Sequence, residues 1–125
     1  MTHDIYAAEA KERWGDTDAY KESQRRMSGY SKEDIAKAQQ AMQDATNLVL
    51  NAMKAGLPAD SPEAIAGAEA HRQSISDYWY ECTYEIHTGL ATMYLADPRF
   101  MAHYEGQQAG LAKYIHDAIV ANANK

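Results

Sequence analysis

Apolar residues recur at three- and four-residue steps along most of this chain, a spacing that lines up one stripe on one face of an α-helix. The clearest run is Ile35, Ala38, Met42, Ala45, Val49 and Ala52. Ser31 and Asp34 supply a capping pair at its start and Gly56 a stop at its end, which predicts a helix over 31–56. Ser61-Pro62-Glu63 then opens another, with proline in the first turn and a carboxylate at the positive end of the dipole. Its stripe is Ala64/Ile65, Ala68, His71, Ile75 and Tyr78/Trp79. A bend is expected near Glu81-Cys82-Thr83, followed by a helix carrying Ile86, Leu90, Met93 and Tyr94 up to Asp97-Pro98. Residues 99–104 read as a short turn before Gly106, and Leu111, Tyr114, Ile115, Ala118 and Ile119 mark a final helix. Two weaker segments open the chain. One spans 4–14 and stops at Gly15; the next starts at Asp16-Thr17 and fades near Met27-Ser28-Gly29. Helix nucleation is costly, so segments this short and polar need a packing partner. No stretch alternates apolar and polar residues as a half-buried strand would. The pattern predicts an all-α fold of about six helices.

With 125 residues the chain supports a single domain, residues 1–125, and a modest core. A net charge of −6 argues against nucleic-acid binding by this domain. One cysteine excludes an internal disulfide framework and a multi-cysteine zinc site, and fits a reducing compartment. There is no apolar h-region at the N-terminus, and no run approaches the roughly 20 apolar residues of a membrane span. These features lead to the expectation of a soluble, cytoplasmic, monomeric domain with no membrane partner.

Several chemistries fail on spacing. The nearest Glu/His pairs, Glu69/His71 and Glu85/His87, are two apart and therefore about 200° around a helix, not on one inward face. No two histidines stand three or four apart, and no phosphate-binding glycine loop, nucleophile elbow or dinucleotide fingerprint occurs. No catalytic residue, metal or cofactor is expected, and neither His71 nor His87 brings any further sign of haem. A thiol-dependent enzyme using Cys82 is kept as an alternative that would require turnover to support it.

Aromatic usage shifts the reading from catalysis to binding. There are nine Tyr and two Trp against one Phe, so the chain favours rings with a polar tip, suited to surfaces that are sometimes wet and sometimes occupied. Tyr78, Trp79, Tyr80 and Tyr84 crowd one short stretch. Consecutive helical residues point about 100° apart, so the triplet 78–80 cannot all face one core and at least one ring should face a groove or solvent. His71 lies on an apolar stripe, and His87 shares a face with Ala91 and Tyr94. Each is either satisfied by a backbone carbonyl or set as a polar fixture in an apolar cleft. Cys82 sits at a helix start, where the dipole favours a thiolate, while Glu81 and Glu85 oppose one; an inert, partly buried thiol is the alternative.

Taken together, the segments resemble a known family. Tyr6-x-x-Glu9-Ala10-x-x-Arg13-Trp14-Gly15-x-Thr17-x-Ala19-Tyr20 followed by Ser23-x-Arg25-Arg26 is similar to the opening of the TipAS antibiotic-recognition domain. His71-Arg72, Tyr78-Trp79-Tyr80-x-Cys82 and His87-x-Gly89-Leu90-Ala91-x-Met93-Tyr94-x-x-Asp97-x-Arg99-Phe100 resemble its C-terminal signature. Gly110-Leu111-Ala112-x-Tyr114 and Ala118-Ile119-x-Ala121-Asn122 complete the likeness. The resemblance implies a globin-like helical fold that binds bulky peptidic antibiotics such as thiopeptides in a cleft, non-enzymatically. It also implies that residues 1–30 form a lid over a scaffold at 31–125. Such domains usually form the effector half of MerR-type transcription activators; a free-standing drug sink is the other form considered. By this likeness Trp14 and Tyr20 would serve the lid, with Tyr30 beside them. His71, Tyr78, Trp79, Tyr80, His87 and Tyr94 would line the scaffold side. Some relatives capture dehydroalanine-bearing thiopeptides through a cysteine. Cys82 is the thiol available here, and Thr88 stands beside the His-x-Gly motif where relatives can carry another.

Overall fold

The computed structural model describes residues 18–125, and among these it contains six helices and no strand. They are α1 (Asp18–Met27), α2 (Lys32–Lys54), α3 (Pro62–Tyr78), α4 (Tyr84–Ala96), α5 (Pro98–Glu105) and α6 (Leu111–Ala123). The predicted helix at 4–14 lies outside the described residues.

The helix starts follow from local chemistry. The Ser31 hydroxyl accepts from the Asp34 amide, and the Asp34 carboxylate accepts from the Ser31 amide, so Asp completes the capping box. Ser61 accepts from Ala64 N–H with Pro62 in the first turn of α3, and Thr83 accepts from Ile86 N–H to start α4. Gly56, at φ +78°, turns the chain out of α2. One expectation is corrected. The segment 99–104 is helical rather than a turn, because Asp97 caps it and Pro98 pre-sets its first φ.

Helix α2, at 23 residues roughly 34 Å long, lies along α3 for much of its length. That approach is close because Gly67 has no side chain. A Cβ there would fall 2.7 Å from Val49 Cγ2 and 2.9 Å from the Val49 amide nitrogen. On the other side α4 packs on α6, and α6 also touches α3, α2 and α5, which makes it the shared wall of the core. Val49, Ile75, Leu90, Leu111, Ile115 and Ile119 fill the centre. Helix α1 stands apart from this block. Its fixings run to the end of α3: Arg26 Nη1 donates to Ser76 O, and just beyond the helix Tyr30 Oη donates to Tyr78 O at 2.6 Å. Met27 adds apolar contact with the core. No described helix is long and apolar enough to cross a membrane.

Candidate functional site

The site is built where α3 ends. The helix stops at Tyr78, and the amides of Trp79 and Tyr80 both donate to Ile75 O, which tightens the chain into a corner. Tyr78 is half-buried, whereas Trp79 and Tyr80 turn inward and are each 4% exposed. One ring of the triplet therefore faces outward, as helical geometry requires, and the other two escape that constraint because they have left the helix. Two side chains from the last turns of α3 pin the corner. Ser76 Oγ accepts from Cys82 N–H at 2.9 Å, and Arg72 Nη1 donates to Cys82 O at 2.7 Å.

Arg72 is the hub. It donates through Nε and Nη2 to both oxygens of Glu69, at 3.0 and 2.6 Å, and its guanidinium lies 4.3 Å from the centre of the Tyr84 ring. Asn122 from α6 donates to the same Glu69 at 3.0 Å. The fork from Arg72 is the main reason the Glu69 carboxyl is held down at about 2, and the Asn122 and Gln73 donors add to it. Corner, α3, α4 and α6 are thus joined by one polar cluster.

Beneath the corner runs a row of buried rings. His71 Nδ1 and His87 Nε2 are 2.9 Å apart, with ring centres at 5.2 Å and planes within 23°. Each ring's other nitrogen, His71 Nε2 and His87 Nδ1, finds no partner among the described residues. One imidazole donates and the other accepts; burial lowers both pKa values, and the neighbouring His71 lowers that of His87 further, which favours the neutral pair. The satisfying partner of His71 is accordingly His87 and not a backbone carbonyl. Tyr94 meets His71 edge-on at 6.1 Å and packs on Phe100 at 5.6 Å and Tyr104 at 5.1 Å. The row surfaces at His103, 5.0 Å from Tyr104.

Of the residues singled out by sequence, His71, Trp79, Tyr80, Cys82, His87 and Tyr94 are buried together behind the corner. Tyr30 and Tyr78 are half-buried at its surface, joined by the hydrogen bond between Tyr30 Oη and Tyr78 O. Trp14 lies outside the described residues, and the Tyr20 side chain is likewise undescribed. Cys82 has 0% exposure, and desolvation pushes its thiol up to about 12, the reverse of the thiolate that a helix start can favour. Thr83, not Cys82, caps α4, so the sulfur sits one residue outside the first turn's dipole. Sequence reasoning passed over Arg72 and Glu69 as chemistry, although their i,i+3 spacing on a helix was a usable signal. It counted Tyr84, 40% accessible, in the aromatic cluster without giving it a site role, and it passed over a groove of about 430 Å³ between α2 and α5 whose lining includes Gln39, Gln43, His103 and Tyr104. Gln39, Gln40 and Gln43 recur with Ala36 and Thr46 at three- and four-residue steps on one face of α2, a signal that went unused because that face is polar.

The corner thus sets partly exposed tyrosines over a buried row of rings. The family pattern of the TipAS antibiotic-recognition domain matches residues 6–122, and the chain belongs to that family. It is 45% identical over 120 residues to the HTH-type transcriptional activator TipA of Streptomyces coelicolor, covering 96% of this chain and 47% of that protein. The chain thus spans about half the length of these curated relatives. Among solved structures, TipAS of Streptomyces lividans in complex with nosiheptide superposes with a TM-score of 0.85. Identity there is 45%, over 97% of this chain and 85% of the other. The antibiotic-binding domain of a TipA-class multidrug resistance transcriptional regulator gives a TM-score of 0.64 at 44% identity, over 70% of this chain and 93% of its own.

Proposed function

We propose that this domain is a non-enzymatic, cytoplasmic receptor for bulky peptidic antibiotics of the thiopeptide kind, which it senses or sequesters. The observation that carries this reading is the likeness, at 45% identity and over nearly the whole chain, to a domain solved with nosiheptide bound. The structure supports a location for it. Tyr30, Tyr78 and Tyr84 present partly exposed rings around the corner, and the Arg26–Ser76 and Tyr30–Tyr78 hydrogen bonds fasten α1 and the residues after it there. Residues 1–30 cover the ligand from one side, with Trp14 and Tyr20 contributing rings. Tyr30 and Tyr78 meet it from the scaffold side. His71, Trp79, Tyr80, His87 and Tyr94 form the floor beneath and hold those surface rings in place. Ordering a segment over a ligand costs about 2 to 5 kcal/mol of the gross interaction, which tempers affinity and leaves room for ligands of different shape. Covalent capture is not part of this reading, since the Cys82 sulfur is buried and protonated.

Isothermal titration of nosiheptide into the full chain, the Trp14→Ala and Tyr78→Ala variants alongside, tests it. Saturable binding with at least tenfold loss in each variant, while melting temperatures stay near that of the parent, is the expected result. No heat of binding, or unchanged affinity in both variants, overturns it.

A second reading rests on the relatives being HTH-type transcriptional activators of about twice the matched length. In it the same pocket belongs to the effector domain of a MerR-type activator, and ligand binding is passed to a DNA-binding partner. A winged-helix segment encoded in frame upstream would favour it.

A further inference from the structure

The groove between α2 and α5 lies away from the aromatic corner, and its lining has a chemistry of its own. None of its lining residues is Asp, Glu, Lys or Arg, on a chain whose net charge is −6. Its apolar part is supplied by Met42 and by Tyr104, which is 3% exposed. Its polar part is amide and imidazole. Gln43 Nε2 donates to Asn47 Oδ1 at 2.9 Å and to Gln107 Oε1 at 2.8 Å, which leaves the Gln43 carbonyl oxygen without a donor among the described residues. Gln107 Nε2 stands 3.4 Å from His103 Nε2; with the amide donating, the imidazole proton sits on Nδ1, free to donate. Burial lowers the His103 pKa, which favours the neutral ring. The Gln39 carboxamide has no side-chain partner among the described residues, and the Thr46 hydroxyl is spent on Met42 O within its own helix. Gln40 Nε2 donates to Asp44 Oδ1 at 2.8 Å, which leaves its carbonyl oxygen free as well, so the groove offers two free acceptors, one free donor and one group that is both, around an apolar floor. That set is complementary to a secondary amide next to a flat ring, and it offers no counter-charge to an ionic group. A volume of about 430 Å³ is of small-ligand size and too small for a folded partner.

We propose that this groove is a binding subsite for an uncharged, amide-bearing aromatic group, the ring lying on Met42 and Tyr104 and the amide paired with Gln39, Gln43 and His103. The inference rests on the antibiotic-binding reading for the source of such a group, a peptidic ligand, but the site itself stands on its lining. It also gives the ring row a use. Tyr104 is packed on Tyr94, which meets His71, so an occupant of the groove presses on the same buried row that supports the corner.

The test is a proton–nitrogen NMR titration of the full chain with N-acetyl-phenylalaninamide and, separately, with N-acetyl-phenylalanine, whose carboxylate is charged. The side-chain amide signals of Gln39, Gln43 and Gln107 report the groove. The neutral probe should shift them saturably, and the carboxylate should bind at least tenfold more weakly. Ala36→Trp, an exposed lining position that the larger ring would fill, should abolish the response without changing the melting temperature; Gln39→Ala should weaken it about tenfold, the value of one good hydrogen bond. Equal binding of both probes, or a response that survives Ala36→Trp, overturns the proposal. So does any change of the groove signals on Trp14→Ala with no probe present, since the chain's own N-terminal segment would then be the occupant. Nosiheptide binding unaffected by Ala36→Trp and Gln39→Ala would sink the subsite and leave the receptor reading intact. The amide probe filling the groove while nosiheptide fails to bind would keep the subsite and end the receptor reading.

Discussion

Removing one of the two buried histidines should cost more than removing both. His71 and His87 are 0% and 1% exposed and share a 2.9 Å hydrogen bond. In His71→Leu the apolar volume is roughly kept, but His87 Nε2 loses its partner, and both its nitrogens are then buried without one. An orphaned buried polar group costs about 1 to 3 kcal/mol. For a domain of this size each kcal/mol is worth about 4 °C, so either single variant should melt about 4 to 12 °C lower. In the double His71→Leu/His87→Leu variant the orphan is gone, along with the two nitrogens that lack partners in the parent, His71 Nε2 and His87 Nδ1. The double should therefore lie above both singles and near the parent, a coupling of about 2 kcal/mol or more. Urea melts of the four proteins at pH 7.5 measure the cycle. A double variant whose loss equals the sum of the two singles would refute the reasoning, since it would mean that the rings do not satisfy each other. The same proteins carry a pH signature. Both pKa values are lowered by folding, so the unfolded chain binds more protons below its ordinary histidine value. The stability present above about pH 6.5 should fall as pH is lowered through the folded-state values, and this limb should vanish in the double variant.

Three further outcomes are expected. Gly67→Ala places a Cβ 2.7 Å from Val49 Cγ2 and should destabilise by about 1 to 3 kcal/mol by forcing α2 from α3, read as a lower urea midpoint with unchanged helix content; an unshifted midpoint contradicts the close approach. Cys82 should react with a thiol reagent such as dithionitrobenzoate only slowly in the native protein at pH 8 and at once in urea, while stoichiometric modification within mixing time would show the sulfur to be open. Glu69→Gln removes a carboxylate whose folded-state pKa, about 2, lies below its ordinary value of 4.5. Acid-induced loss of stability between those values should shrink in that variant, and a pH profile identical to the parent's would contradict the Arg72 fork.

Much of the architecture was legible because helix ends are written locally. Ser31, Ser61 and Thr83 cap the helices that follow them, and the stripes from Ile35, Ala64 and Ile86 turn inward. The misreading of 99–104 arose because Asp97-Pro98 served equally as the end of one helix and the start of another. How the candidate residues are arranged was less legible. The cluster at 78–84 marked the corner, yet only the end of α3 at Tyr78 decides that Trp79 and Tyr80 turn in while Tyr78 stays out. The histidine pair was invisible for a different reason. His71 and His87 are sixteen residues apart on separate helices, and only the packing of α3 against the start of α4 brings their rings together. The groove lining comes from two helices distant in sequence; the helical spacing of Gln39, Gln40 and Gln43 marks one face of α2, but only the packing brings His103 and Tyr104 opposite it.

The most direct test of the receptor reading is a proton–nitrogen NMR spectrum of the full chain, recorded while nosiheptide is added. The account predicts saturable changes concentrated in residues 1–30 and at the corner, 76–84, with the amides of the α6 core left nearly still. A spectrum that nosiheptide does not move, or one that responds only at surfaces remote from the corner and from α1, would contradict it.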